Sequence, residues 1–251
     1  MKQKIPYLKI KYSKEDLFKY LSHIDIMKIL LRILQRAQIP FKLSQGYSPR
    51  PRVVFLPPLP LGIASSSELL FCQLKYAFAE VELQKKMEAI KKYLPSGIRL
   101  LSFAILDSYN NPELAEETYL LKCINKEKVM YYLNECLEKK KFTYLKPVKV
   151  KNRNPDLRGI FCQTNGVFKL SLESGKEKPV TEIVLDLNPI VLGHTLEKNG
   201  IILTLDAEGP TKYQLPSNGK WLGYLLDSLK KDRNFAGGIE EITRIGVKLK
   251  K

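Results

Sequence analysis

Two histidines, His23 and His194, are the only side chains in this sequence whose ordinary pKa permits proton exchange near neutrality. Acid–base or imidazole-ligand chemistry must use one of them or rely on carboxylates. His23 stands in Leu21-Ser22-His23-Ile24-Asp25, where Ser22 and Asp25 have the three-residue spacing of a helix-capping pair. At the first turn of a helix the dipole disfavours the imidazolium, lowers its pKa and leaves a neutral base. The competing role for His23 is packing or capping at that helix start. His194 follows Gly193 in what reads as an exposed hairpin loop.

The second chemically suggestive stretch is Ser44-Gln45-Gly46-Tyr47-Ser48-Pro49-Arg50-Pro51-Arg52. Prolines stiffen this loop, so it loses little entropy on binding. Arginine forks match phosphate bidentately and aromatic rings stack on bases, a composition suited to single-stranded or looped RNA. Lys42 stands just before it, and Arg32 and Arg36 are one helical turn apart upstream. Together Arg32, Arg36, Lys42, Tyr47, Arg50 and Arg52 are the candidate RNA contacts; the bland alternative is an ordinary turn with solvated arginines.

Charge supports the first reading. The chain of 251 residues carries a net charge of +16, from 42 Lys and Arg against 26 Asp and Glu. Residues 1–52 hold twelve Lys or Arg and three acids (Glu15, Asp16, Asp25), so this segment contributes +9. Such a field favours polyanionic partners, although a lysine-rich, merely solvated surface would look the same. Cys72, Cys123, Cys136 and Cys162 are isolated, with no C-x-x-C pair, which argues against a disulfide framework and a tetrahedral zinc site. No Walker loop, G-x-G-x-x-G or H-E-x-x-H is present. Neither a cofactor nor a metal is expected. The first twelve residues contain no long apolar run, so neither a signal peptide nor a membrane span is expected and the cytoplasm is the default.

The elements that must position these residues follow from periodicity. Tyr7 to Tyr12 alternates as a half-buried strand does. After Ser22, Ile26, Ile29, Leu30, Ile33, Leu34 and Ala37 recur at three and four, predicting one buried helix face, with Lys28, Arg32 and Arg36 on another and Pro40 as the stop. Strands are predicted at 52–56 and 68–74, a helix at 80–94 and a strand at 98–106. The order is β-α-β-β-α-β, the ferredoxin-like arrangement. Residues 107–116 read as a linker, after which the pattern restarts: strand 118–124, helix 126–140, strand 143–151, a hairpin around Asn165-Gly166, a strand pair at 180–192 and 201–206, a helix around Trp221 and a strand at 242–249. The expected fold is therefore α+β, with two tandem ferredoxin-like domains at 1–107 and 117–251, the second decorated by an insertion near 152–178.

Several blocks in order carry a family resemblance: Phe18-x-x-Leu21-Ser22-His23-Ile24-Asp25, Arg32-x-x-x-Arg36-Ala37, Ser44-Gln45-Gly46-Tyr47-x-Pro49-x-Pro51-Arg52, Pro58-Leu59-Pro60-Leu61-Gly62 and Ser65-x-x-Glu68. Across residues 7 to about 106 the chain resembles the bacterial radical-SAM-linked protein family. Its motif residues here are Ser22, His23, Asp25, Ser44, Gly46, Pro49, Pro51, Gly62 and Glu68. The resemblance implies an association with a separate radical-SAM protein and, by genomic neighbourhood, with rRNA or tRNA processing or modification. The four scattered cysteines cannot readily replace the cysteine cluster that radical-SAM chemistry requires, so the chain is not expected to be the radical enzyme. The family's Asp-Leu-Arg-Pro segment is matched by Asp186-Leu187-Asn188-Pro189, with its arginine replaced, in preference to Asp156-Leu157-Arg158, which lacks the proline.

The expectation is an RNA-binding accessory protein without catalytic activity of its own. Two alternatives stand beside it. One is a metal-independent endoribonuclease resembling CRISPR repeat-processing enzymes, with His23 as base and Tyr47 or Lys42 as proton donor. The other is a protein–protein adaptor that binds no RNA.

Overall fold

The computed structural model describes residues 6–107, 114–138, 143–149, 180–186, 191–207 and 239–249. β1 (Tyr7–Lys14) alternates between half-buried and buried positions as far as Tyr12, with Leu8, Ile10 and Tyr12 facing the core, and is buried throughout its last three residues. A short 3-10 helix (Asp16–Tyr20) leads into α1 (His23–Arg36). Ser22 is the N-cap: its Oγ accepts from the Asp25 N–H at 3.2 Å and lies 2.7 Å from the Asp25 carboxylate. The apolar stripe read from the sequence is the buried one, through Ile26, Leu30, Ile33 and Leu34.

β2 (Val53–Phe55), β3 (Ala64–Gln73), α2 (Glu80–Tyr93) and β4 (Leu100–Leu106) complete the first half in the expected β-α-β-β-α-β order. β1 lies between β4 and β3, antiparallel to both, and β2 pairs with β3 on its far side. α1 and α2 cover one face of these strands, where Leu8, Ile10, Leu30, Leu34, Leu70, Leu83, Met87 and Ile90 form a common core.

The second half contributes β5 (Leu114–Cys123), α3 (Lys126–Glu138), β6 (Thr143–Lys149), β7 (Val180–Asp186), β8 (Val191–Glu197), β9 (Gly200–Asp206) and β10 (Ile239–Leu249). β6 and β7 pair with each other in a two-stranded sheet. The others join the first half in one mixed, mostly antiparallel sheet of order β4-β1-β3-β10-β5-β9-β8.

The mixed α/β class therefore holds, and the described strands of the two halves join in one sheet. β10 runs between the halves, parallel to β3 at Thr243 and Arg244 and antiparallel to β5 along most of its length. It can do so because β2 covers only the Cys72-to-Leu70 part of that edge of β3, leaving Ala64 and Ser65 open.

Further differences are local. Residues 114–116 belong to β5, with Leu114 buried, so the proposed linker is shorter than 107–116. The predicted strand 180–192 comprises parts of two different strands. β8 pairs with β9 through a turn at Lys198-Asn199, where Gly200 takes a φ of +147°. His194 therefore sits within β8 and not in a loop. The hairpin at Asn165-Gly166, the helix around Trp221, the 152–178 insertion and residues 187–189 of the Asp186 segment lie outside the described residues.

Candidate functional site

The predicted site residues fall into two groups at different places. The first is a flap. Its base is held by the Lys42 N–H to Gln73 carbonyl and Gln73 N–H to Arg52 carbonyl bonds, both 2.9 Å. Leu43 and Pro51 bridge above them. Beyond the bridge, Ser44 donates its N–H to the Arg50 carbonyl at 2.8 Å and accepts the Arg50 N–H on its Oγ at 3.0 Å. Gly46, at φ +126°, turns the tip where a side chain would strain the backbone. Tyr47 is fully exposed there, and Pro49 and Arg50 are exposed beside it. Ser44, Gly46 and Pro51 thus shape a defined hairpin-like projection.

Arg32 and Arg36 are exposed on the outer face of α1. Arg36 is in the last turn, shortly before the chain returns to bridge Phe41 to Leu74 near the flap base. Arg52 donates to Gln73 Oε1 at 3.4 Å, and Lys42 is half-buried. Among the described residues, none of Arg32, Arg36, Arg50 or Arg52 forms an ion pair, whereas the other two described arginines do: Arg99 with Glu15, and Arg244 with Glu68 and Glu117.

The second group surrounds His23. Its ring meets Phe55 edge-on, with centroids 6.1 Å apart. Burial lowers its pKa; the Glu68 carboxylate opposes this, while the Lys14 and Arg244 charges push the same way. Desolvation is thus the leading cause, where the sequence pointed to the helix dipole. The same groups place His23 beside an interior charge cluster that sequence reasoning missed. Arg244 of β10 is fully buried and donates Nη1 to Glu117 Oε1 at 2.6 Å and Nη2 to Glu68 Oε1 at 2.5 Å. Burial alone would lower its pKa, but the two carboxylates outweigh that and raise it, so it is a permanent cation. Tyr12 and Tyr119 flank the cluster, both kept neutral chiefly by burial, and Tyr119 shares a hydrogen bond with Glu117.

Lys14 completes the cluster. It is only 6% exposed, and its pKa is lowered by burial, with Glu68 opposing and Arg244 reinforcing the shift. The alternation of Leu8, Ile10 and Tyr12 did not announce it, because the register shifts between Tyr12 and Lys14 and Ser13 is buried as well. Nor did any signal announce Glu117 or Arg244.

The two groups are not one constellation. The flap is anchored at Gln73, five residues or about 16 Å along the strand from Glu68. His23 and Arg36 are thirteen residues apart on α1, about 20 Å. The remaining motif residues have structural partners: Ser22 and Asp25 cap α1, Glu68 holds Arg244, and Gly62 turns at φ +85° against the Tyr20 ring.

Among the described residues no group of histidines, cysteines and carboxylates is arranged to hold a metal ion, and no helix is long and apolar enough to cross a membrane. A family model described as an uncharacterized protein conserved in bacteria (DUF2344) matches residues 7–185. No curated protein matches the chain.

Proposed function

The chain belongs to this family of uncharacterized bacterial proteins, and from that premise we propose that it is a basic RNA-binding accessory protein working beside a separate radical-SAM protein in rRNA or tRNA processing or modification. The observation that carries RNA binding is the contrast among the arginines. Arg99 and Arg244 are matched by carboxylates, while Arg32, Arg36, Arg50 and Arg52 are exposed and have no ion-pair partner among the described residues. Uncompensated guanidinium groups beside an exposed aromatic suit phosphate contacts and base stacking. The radical-SAM partner rests on the sequence blocks from Phe18 to Glu68.

Catalysis by His23 finds less support. The charges that act on it belong to the interior cluster, and Tyr47 projects from a flap anchored at the other end of β3. A base and a proton donor must both reach one phosphate. The protein is therefore read as a binder with no reaction of its own.

Filter binding of total cellular RNA across a salt series, with chelator present, tests this reading. For single strands the log–log slope is about −0.7 per phosphate neutralised, so Arg50→Ala/Arg52→Ala should flatten it by about 1 to 1.5 units and weaken binding. Affinity independent of salt, or unchanged in the double variant, would refute RNA binding through the flap and favour the adaptor. Site-specific cleavage that disappears in His23→Ala would establish the nuclease instead.

A further inference from the structure

We infer that the outer edge of β4 pairs with the same edge of a second copy of this chain, across a two-fold axis at Phe103, so that one sheet runs through both molecules. β4 ends the sheet: among the described residues it pairs with β1 alone. Edge strands are normally guarded by charges, prolines or bulges, because their outward N–H and C=O groups recruit other strands. β4 has little of this protection beyond a bulge beside Leu101. Its residues, Leu100-Leu101-Ser102-Phe103-Ala104-Ile105-Leu106, include no charge, proline or glycine; none is buried, and Leu101, Ser102 and Ala104 are exposed. β8, at the opposite end of the sheet, is better guarded, with Glu197 in the strand, Lys198 just after it and a bulge at its start.

The neighbours of β4 set which of its backbone groups point outward. Leu74 donates its N–H to the Pro6 carbonyl, so even positions of β1 bond to β3 and odd ones to β4, as the Ser13 N–H does to the Arg99 carbonyl. Lys9 and Lys11 therefore take Ala104 and Ser102, and Phe103 and Ile105 turn their N–H and C=O groups away from the sheet. An antiparallel copy centred on Phe103 meets those groups, Phe103 against its own copy and Ile105 against Leu101. Ser102 then lies opposite Ala104, two small side chains, and the uncharged stretch overlaps along its whole length.

Charge selects the same register. The residues that bound the stretch, Arg99 and Asp107, have opposite signs, and centring on Phe103 brings each Arg99 to the second copy's Asp107. Arg99 already meets Glu15, and with its side chain 64% exposed it can take a second carboxylate. The bulge between Leu100 and Ser102 offsets the strand there, and the length of the arginine makes up the difference. On the helical side, the half-buried Phe103 and Ile105, which pack on the first-half core, gain cover from their counterparts. Such a contact uses the same patch twice, so it closes as a dimer and does not grow into a fibre.

Sedimentation equilibrium of the full-length, nuclease-treated chain tests the contact without RNA. The expected result is a reversible equilibrium between 28.9 kDa and twice that mass, with a dissociation constant of roughly 1–100 µM for a contact of modest area. Each copy carries +16, so the dimer should tighten when salt is raised from low to physiological ionic strength. Ser102→Lys with Ala104→Lys places exposed lysines face to face across the axis and should leave a monomer. Ser102→Lys with Ala104→Glu keeps one lysine, sets an acid opposite it and should retain the dimer. Asp107→Lys, outside the strand, should weaken the dimer several-fold. A wild-type chain that stays monomeric at every concentration and both salt levels overturns the proposal without recourse to variants, and leaves the edge to a strand of another protein. A dimer that survives the double-lysine variant, or that both double variants lose equally, also overturns it, because the contact then lies elsewhere or in another register.

Discussion

Replacing Arg244 by methionine removes the one guanidinium that neutralises two buried carboxylates. Glu68 and Glu117 are 5% and 2% exposed, so neither can regain its hydration without opening the sheet. Breaking a buried ion pair by removing one partner costs about 3–5 kcal/mol. Two carboxylates are stranded here, which places the loss toward the top of that range, with Lys14 giving partial relief to Glu68. For a chain of this size, about 3–5 kcal/mol corresponds to a fall in Tm of roughly 6–20 °C. Urea unfolding at pH 7 measures the free energy. Arg244→Met combined with Glu68→Gln and Glu117→Gln should recover part of the loss, because no uncompensated carboxylate is left inside and only the Lys14 ammonium loses its Glu68 counter-charge. A loss below about 1 kcal/mol for the single variant, or a triple variant less stable than the single, would refute the reasoning.

Three smaller perturbations probe other parts of the structure. Ser22→Ala removes the cap on the Asp25 N–H and should cost about 1 kcal/mol in urea unfolding. The lowered pKa of His23 means that, below about pH 6.5, the unfolded chain binds more protons than the folded one, so stability falls as pH drops through that region; His23→Gln should flatten this slope between pH 7.5 and 5. Gly200→Ala sets a Cβ 2.2 Å from the Leu121 carbonyl oxygen at a φ of +147° and should cost about 2–3 kcal/mol, seen as a lower Tm.

Local signals in the sequence announced local structure. The Ser22–Asp25 spacing and the three-and-four recurrence from Ile26 to Leu34 describe α1 closely, because capping and amphipathic burial act within a few residues. The alternation from Tyr7 likewise announced β1. β3 was read as starting at Glu68 and begins at Ala64, since Ser65 and Ser67 look like loop residues although both are buried in the sheet. The interior cluster was not legible because its members are joined by tertiary pairing: Arg244 meets Glu117 across 127 residues and Glu68 across 176. No periodicity reports a contact of that span. The same holds for the parallel register of β10 on β3, which joins the strands of the two halves in one sheet. The flap arginines were found by composition, but their separation from His23 required knowing that α1 and β3 carry the two groups to opposite ends.

The place of β10 between β3 and β5 also governs the order of events during synthesis. Both flanking strands leave the ribosome long before residues 239–249 do, and each then presents an unpaired edge. Exposed edges invite pairing with other chains, which is the usual route from slow, long-range topology to aggregation. Here each waiting strand carries a carboxylate, Glu68 on β3 and Glu117 on β5. A foreign strand docking in that gap would have to bury both charges without a guanidinium to meet them. The acidic pair thus acts as a lock on the vacant slot, favouring the one strand that carries Arg244.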